Sequence, residues 1–248
     1  MVKKLVIFDL DDTLAESKGE IDAEMSLLLS QLLEIKQVAV ISGGAYTQFQ
    51  KQFLANLKIQ PALQKKLHLF PTCGSCFYEY DGEWKQIYKQ DLTEEEKQQI
   101  RDGFEKAFKD ADFKIPEKLY GDLIEDRGSQ LTFSAYGQVA PREMKKVWDP
   151  DQKKRKKIKA ALDKYIPELE TRIGGTTSID VTRKGIDKAY GIAQMEKHLG
   201  FTKEEMLFIG DALFEGGNDY PVKQTGVECI AVEGPEYTKK VIRNIING

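Results

Sequence analysis

Histidine is nearly missing from this chain: His68 and His198 are the only two in 248 residues, and cysteine is almost as scarce at three. That count excludes catalysis resting on several histidines, and a zinc site rich in histidine with it. Three cysteines cannot form a disulfide framework without leaving one over, which points to a reducing compartment and a cytoplasmic protein. Long apolar runs are absent too. None approaches the roughly 18 residues of a membrane span, so no membrane partner is expected. The opening MVKKLVIFDLDD meets acid too early for a secretory signal. An excess of charge of one sign is also lacking. With 37 Lys+Arg against 40 Asp+Glu and a formal net charge of −3, the chain is not built to coat nucleic acid. What remains is an ordinary globular composition in which any chemistry must be carried by carboxylates.

At about 150 residues per domain, the length allows one large domain or two small ones. Leu5 to Leu10 (LVIFDL) is short, apolar and β-branched, as a buried strand is. Ile21, Met25, Leu28, Leu29, Leu32 and Leu33 form a helical stripe over 21–35. A second strand, 38–41, ends in Ser42-Gly43-Gly44, and the spacing of Phe49, Phe53, Leu54 and Leu57 predicts a helix over 46–57. A third strand is expected at 68–71. Strand, helix, strand, helix implies right-handed crossovers and a parallel sheet. The pattern then changes. Asp81-Gly82 reads as a hairpin turn, Thr93 and Glu96 as a capping box, and strands are expected at 131–136 and 178–183 with a helix between them. After residue 184 the first pattern returns: a helix over 187–199 stopped by Gly200, strands at 206–209 and 228–232, and a last helix through Val241 and Ile245. The expected architecture is therefore α/β, a Rossmann-like parallel-sheet core formed by residues 1–83 and 185–248, interrupted by an inserted α+β domain at 84–184.

Four elements of the core carry chemistry. FDLDDTL places Asp9 and Asp11 at the carboxyl end of the first strand, where open α/β sheets bind ligands. Two carboxylates there repel and need a cation. Ser42, Gly43 and Gly44 offer a hydroxyl and amides suited to an anion. Lys188, in the first turn of a helix, opposes the helix dipole and so suggests a role beyond surface charge. Gly210-Asp211 ends a strand and is followed by Gly216-Gly217-Asn218-Asp219. Each of these is commonplace alone, since acidic turns and Ser-Gly turns close many strands. Together they form an oxygen-only site suited to a hard cation, Mg²⁺. An aspartate beside such an ion can attack a phosphoryl group.

FDLDDTL, SGG, the lysine and GDALFEGGND resemble, in order, the four motifs of the haloacid dehalogenase-like (HAD) phosphohydrolase superfamily. The insertion resembles the α+β cap of its Cof-like branch. LFPTCGS, IEDRGSQLTFS and IGGTTSIDVTRKGIDKAYG are most similar to eukaryotic-type phosphomannomutases. The resemblance spans essentially the whole chain. It implies Asp9 as nucleophile and Asp11 as general acid and base. It further implies Mg²⁺ held by Asp9, the Asp11 carbonyl and Asp211, with Asn218 and Asp219 beside them, and Ser42, Gly43 and Lys188 on the phosphoryl group. In the cap it implies Arg127, Ser178 and Asp180 on a sugar phosphate, a cap that closes to exclude water, and a monomer or a cap-mediated homodimer. The departures are Lys18, Gln138 and Lys145 where mutases carry phosphate-binding arginines, and Pro71-Thr72-Cys73-Gly74 in place of Pro-Glu-Asn-Gly. Bidentate arginine grips a distal phosphate better than lysine or glutamine. The reading from sequence is therefore a Mg²⁺-dependent phosphatase of small phosphorylated metabolites, sugar phosphates above all, with a phosphomannomutase-like isomerase as the alternative.

Other signals are read as structural. Cys73 and Cys76 have redox or zinc spacing but no second pair, and Lys153–Lys157 reads as a solvated cap helix rather than a nucleic-acid patch. His198 suits a helix C-terminus, and Trp84 and Trp148 suit packing near the cap boundaries. A phospho-receiver also uses acids, a hydroxyl and a lysine at a sheet rim. Receivers are shorter, lack a large cap, and do not phosphorylate the first acid of an opening D-x-D-x-T.

Overall fold

The computed structural model describes residues 2–248. In chain order the strands are β1 (Leu5–Phe8), β2 (Gln37–Ile41), β3 (Leu67–Phe70), β4 (Cys76–Tyr80), β5 (Trp84–Lys89), β6 (Ile124–Asp126), β7 (Gln130–Ser134), β8 (Leu169–Gly174), β9 (Ser178–Arg183), β10 (Met206–Gly210) and β11 (Glu228–Ala231). They fall into two compact units: residues 1–89 with 186–248, and residues 90–185.

The first unit is built on a seven-stranded sheet in the order β11-β10-β1-β2-β3-β4-β5. From β11 to β3 every pairing is parallel. β1, β2, β3 and β10 are buried along nearly their whole length, as crossover helices on both faces require. One face packs on the helix Ala23–Ile35, where Asp22 accepts from the Met25 N–H as N-cap, and on the helix Pro235–Asn247; Met25, Leu29, Leu32 and Ile242 are almost fully buried there. The other face packs Ile192 and Met195 of the helix Lys188–Leu199 against Ile7, Ile41 and Phe208. Gly200 ends that helix in the left-handed region at φ 75°, a position glycine takes without strain.

Two expectations are corrected here. The first unit extends to Lys89 rather than ending at residue 83, because β5 pairs antiparallel with β4 and so joins the core sheet; Trp84 packs on that core. The predicted helix over 46–57 is a single α-turn, Tyr46–Phe49, continued by a π-helical stretch, Gln50–Leu54. The Gln52 carbonyl there accepts from the Ile21 N–H at 2.9 Å, outside the helix ladder.

The second unit has a four-stranded antiparallel sheet, β6-β7-β9-β8. Phe104 and Phe108 of the helix Glu94–Asp110, Ile158 and Leu162 of the helix Lys153–Tyr165, and Phe133 of β7 share its core. Thr93 and Glu96 make the capping box read from the sequence. Strands β6 and β8 and the short helix Arg142–Trp148 carry little sequence signal and were not expected. Among the described residues no helix is long and apolar enough to cross a membrane.

Candidate active site

Asp211, Asp9 and Ser42 each directly follow a strand, and those strands, β10, β1 and β2, are neighbours in the sheet. Parallel register fixes the rest. The Asp9 N–H donates to the Ile209 carbonyl at 3.0 Å and the Ser42 N–H to the Phe70 carbonyl at 3.3 Å, so the pairing continues one residue past each strand and lines these side chains along the carboxyl rim.

Asp9 is 2% exposed and Lys188 1%. The Lys188 ammonium donates to Asp9 Oδ1 at 2.6 Å and to Asp219 Oδ1. Asp219 is fully buried and its Oδ2 accepts from the Ala212 N–H at 3.0 Å. A Cβ on Gly210 would overlap that carboxylate, so glycine at the end of β10 is what lets Asp219 reach the rim. Carboxylate oxygens of Asp9, Asp211 and Asp219 lie within 4.8 Å of one another, a set able to hold a metal ion. Burial raises the Asp9 carboxyl well above the usual range, Lys188 opposes the rise, and Asp219 adds to it. Burial, with Asp219 next, pushes Asp211 up to about 6. Burial alone would lower the Lys188 ammonium, but Asp219 and Asp9 outweigh it and hold it protonated. One ammonium thus faces three clustered carboxylates. A hard divalent cation would relieve the remaining repulsion, and the all-oxygen donor set suits one.

The Asp11 carboxylate is turned elsewhere and is not a member of that cluster. Its Oδ2 accepts from Gln48 Nε2 at 3.0 Å, and its Oδ1 accepts from the Lys18 N–H at 2.7 Å and Gln52 Nε2 at 3.2 Å. Gln52 Nε2 also donates to the Gly19 carbonyl at 2.8 Å. These two glutamines were missed from sequence; one turn apart, on an otherwise apolar helical stripe, they carried no recognisable motif.

Ser42 Oγ accepts from the Gly44 N–H at 3.1 Å. The Ser42–Gly44 loop is braced from below: the Cys73 N–H donates to the Ser42 carbonyl and the Thr72 N–H to the Gly44 carbonyl, both at 2.9 Å. Thr72 and Cys73 adopt φ of 48° and 57°, a strained conformation that the surrounding contacts impose. The brace is made by main chain and so does not depend on the Thr72 and Cys73 side chains. Cys76 is buried, with its Sγ 3.1 Å from Thr72 Oγ1.

The remaining predicted residues lie in the second unit. Arg127 Nε donates to Glu125 Oε2 at 2.6 Å and its terminal nitrogen to Gln138 Oε1 at 3.4 Å. Lys145, buried, donates to the Gln138 carbonyl at 2.6 Å. Ser178 opens β9 and Asp180 lies two residues on, where its Oδ1 accepts from Thr132 Oγ1 at 2.7 Å. Arg127, Gln138 and Lys145 are thus one bonded group, which their sequence spacing did not reveal.

A family model described as eukaryotic phosphomannomutase matches residues 25–248. A phosphomannomutase of Schizosaccharomyces pombe is 30% identical, over 89% of this chain and 85% of that protein. One from Encephalitozoon cuniculi is 29% identical, over 97% of this chain and 92% of that protein. Among solved structures, a haloacid dehalogenase-like hydrolase from Bacteroides thetaiotaomicron superposes with a TM-score of 0.66 at 15% identity, covering 98% of this chain and 99% of that one. The fold is that of the HAD-like Rossmann-type proteins.

Proposed function

The chain belongs to the eukaryotic phosphomannomutase family, within the HAD superfamily, and from that premise we propose that it is a hexose phosphate mutase with Asp9 as nucleophile. The observation that carries the reading is the family match over residues 25–248, joined to a buried Asp9 that already holds Lys188. The phosphatase put first from sequence gives way to its alternative: the relatives carry the name phosphomannomutase. The missing arginines weigh less than their identities suggested, because Gln138 and Lys145 bond into one group with Arg127 and keep two cations there.

In this reading an Asp9 oxygen attacks the phosphorus of a hexose bisphosphate, and the ester oxygen leaves with a proton from Asp11. The hexose monophosphate that remains presents its other end. Its free hydroxyl gives a proton back to Asp11 and attacks the Asp9 phosphoryl group, regenerating carboxylate and bisphosphate. Gln48 and Gln52 orient the Asp11 carboxyl for both transfers. Lys188 and Ser42 hold the equatorial oxygens, where phosphoryl-transfer catalysis chiefly operates. Arg127, Ser178 and Asp180 bind the sugar and its second phosphate. Mg²⁺ would be held by Asp9, Asp211 and Asp219 with the Asp11 carbonyl; when bound it screens carboxylate from phosphate and orients the attack. The same proposal assigns the protein to the cytoplasm, the reducing compartment that so few cysteines suit.

The deciding experiment follows mannose 1-phosphate with Mg²⁺, with and without a hexose bisphosphate activator. Mannose 6-phosphate should form, and should depend on the activator. Free phosphate as the sole product would reject the mutase in favour of the phosphatase. Asp9→Asn should abolish both turnover and the phosphoenzyme seen by intact mass.

A further inference from the structure

The stretch Lys153–Lys157 looks like a solvated basic face, yet its middle residue is hidden: Arg155 is 2% exposed while the four lysines around it are exposed. Arg155 Nε donates to Asp149 Oδ2 at 2.9 Å, and one terminal nitrogen donates to the Asp149 carbonyl at 3.1 Å. The other donates to the carbonyls of Gly174 and Gly175 at 3.2 and 2.7 Å. Asp149, itself buried, accepts from the main-chain N–H groups of Lys154 and Arg155 at 2.9 and 3.0 Å. The carboxylate therefore caps the helix Lys153–Tyr165 and aims the guanidinium at the turn between β8 and β9.

Net stability is a poor reason for such an arrangement. A buried ion pair costs desolvation that its attraction hardly repays, and apolar residues of similar volume often do as well. Geometry is the better reason, since a planar fork is what reaches one carboxylate and two successive carbonyls. The turn it grips is unusual. Gly175 sits at φ 46°, and a Cβ on Gly174 would come within 2.7 Å of Asp180 Oδ2. On its far side Thr177 is buried, its hydroxyl 3.0 Å from that of Ser134. Ser178 follows immediately and Asp180 two residues later.

We infer that Arg155, fixed by Asp149, is a positioning residue: it pins the Gly174–Gly175 turn and thereby sets Ser178 and Asp180 for a phosphosugar. The inference rests on the proposed function for its substrate, and on geometry alone for the turn.

The test is the double variant Asp149→Asn/Arg155→Met in the full chain. Asparagine keeps a cap acceptor, methionine fills the volume, and no buried charge is left alone. Three readouts are taken: hydrogen exchange of the amides at 174–180, kcat and KM for mannose 1-phosphate with activator, and labelling of Asp9 by acetyl phosphate. Exchange at 174–180 should rise against the rest of β9, and KM should rise about tenfold, equivalent to about 1.4 kcal/mol of lost binding. kcat and Asp9 labelling should stay near the wild-type values. Arg155→Lys, which keeps the charge without the fork, should raise KM similarly; full function in that variant would overturn the geometric argument. Unchanged exchange in a folded double variant overturns the positioning role, whatever the substrate. Loosened amides with an unmoved KM overturn the link to the phosphosugar. A wild-type protein inert toward mannose 1-phosphate overturns the function reading instead, and exchange at the turn then still decides the positioning role.

Discussion

Lys188 shows how much one side chain can carry. It lies between two buried carboxylates, and both lose their cationic partner if it goes. Lys188→Met should destabilise the fold by about 3–5 kcal/mol, read by urea denaturation, because it strands uncompensated charge in a dry site. Divalent metal should act in the opposite sense. Mg²⁺ should raise the melting temperature by mass action, about 2.7 kcal/mol at a hundredfold excess over its dissociation constant, with EDTA reversing the gain and Asp211→Asn abolishing it. His68 supplies a pH dependence remote from the rim. It is buried beside Gln37, with its Nε2 2.9 Å from Gln37 Oε1, and burial lowers its pKa to about 4. The unfolded imidazole titrates near 6.5. Between those values the unfolded chain binds more protons, so the stability contributed is complete above about pH 6.5 and falls as pH drops toward 4. His68→Leu should flatten urea-derived stability across that window. Equal slopes for wild type and variant would refute the assignment.

At the scale of elements, close approach matters more than propensity. Gly74 and Gly191 face each other where the Thr72–Cys73 brace meets the helix Lys188–Leu199: a Cβ on Gly74 would come within 2.6 Å of the Gly191 Cα, and one on Gly191 within 3.2 Å of the Cys73 carbonyl. Gly191→Val should therefore overpack this seam by about 1–3 kcal/mol. At 2–4 °C per kcal/mol for a chain of this size, calorimetry should show a melting temperature lower by roughly 2–12 °C. The strands that lead into Asp9, Ser42 and Asp211 were legible because a short, nearly all-apolar run is a local signal. The helix over 46–57 was legible only in part. Its apolar spacing is real, but the Gln52 carbonyl pairs with Ile21, a contact across the chain that periodicity cannot register.

On the scale of the whole molecule, the units share no apolar cluster: Phe133 belongs to the one cluster of residues 90–185, and Phe8 to one of the two in the first unit. Phe133→Ala should therefore cost about 3–5 kcal/mol of protection in hydrogen exchange at β7 and β9, while β1 and β2 keep theirs; equal losses in both units would refute the division. From the sequence alone came the α/β class, the order of the motifs and the choice of Asp9, Asp11, Ser42, Lys188 and Asp211 as candidates for the site. All of these are written in short windows where strand period, turn residues and carboxylate spacing coincide. Tertiary structure decided what depends on partners distant in the chain. It gave β5 to the core sheet, because β4 is there to pair with it, and assembled Asp219 with Asp9 around Lys188 while Gln48 and Gln52 held Asp11 apart. It also turned one arginine of a basic run inward onto Asp149 and the Gly174–Gly175 turn. A buried charge is stable only beside the groups that compensate it, and which groups those are is settled when the chain closes.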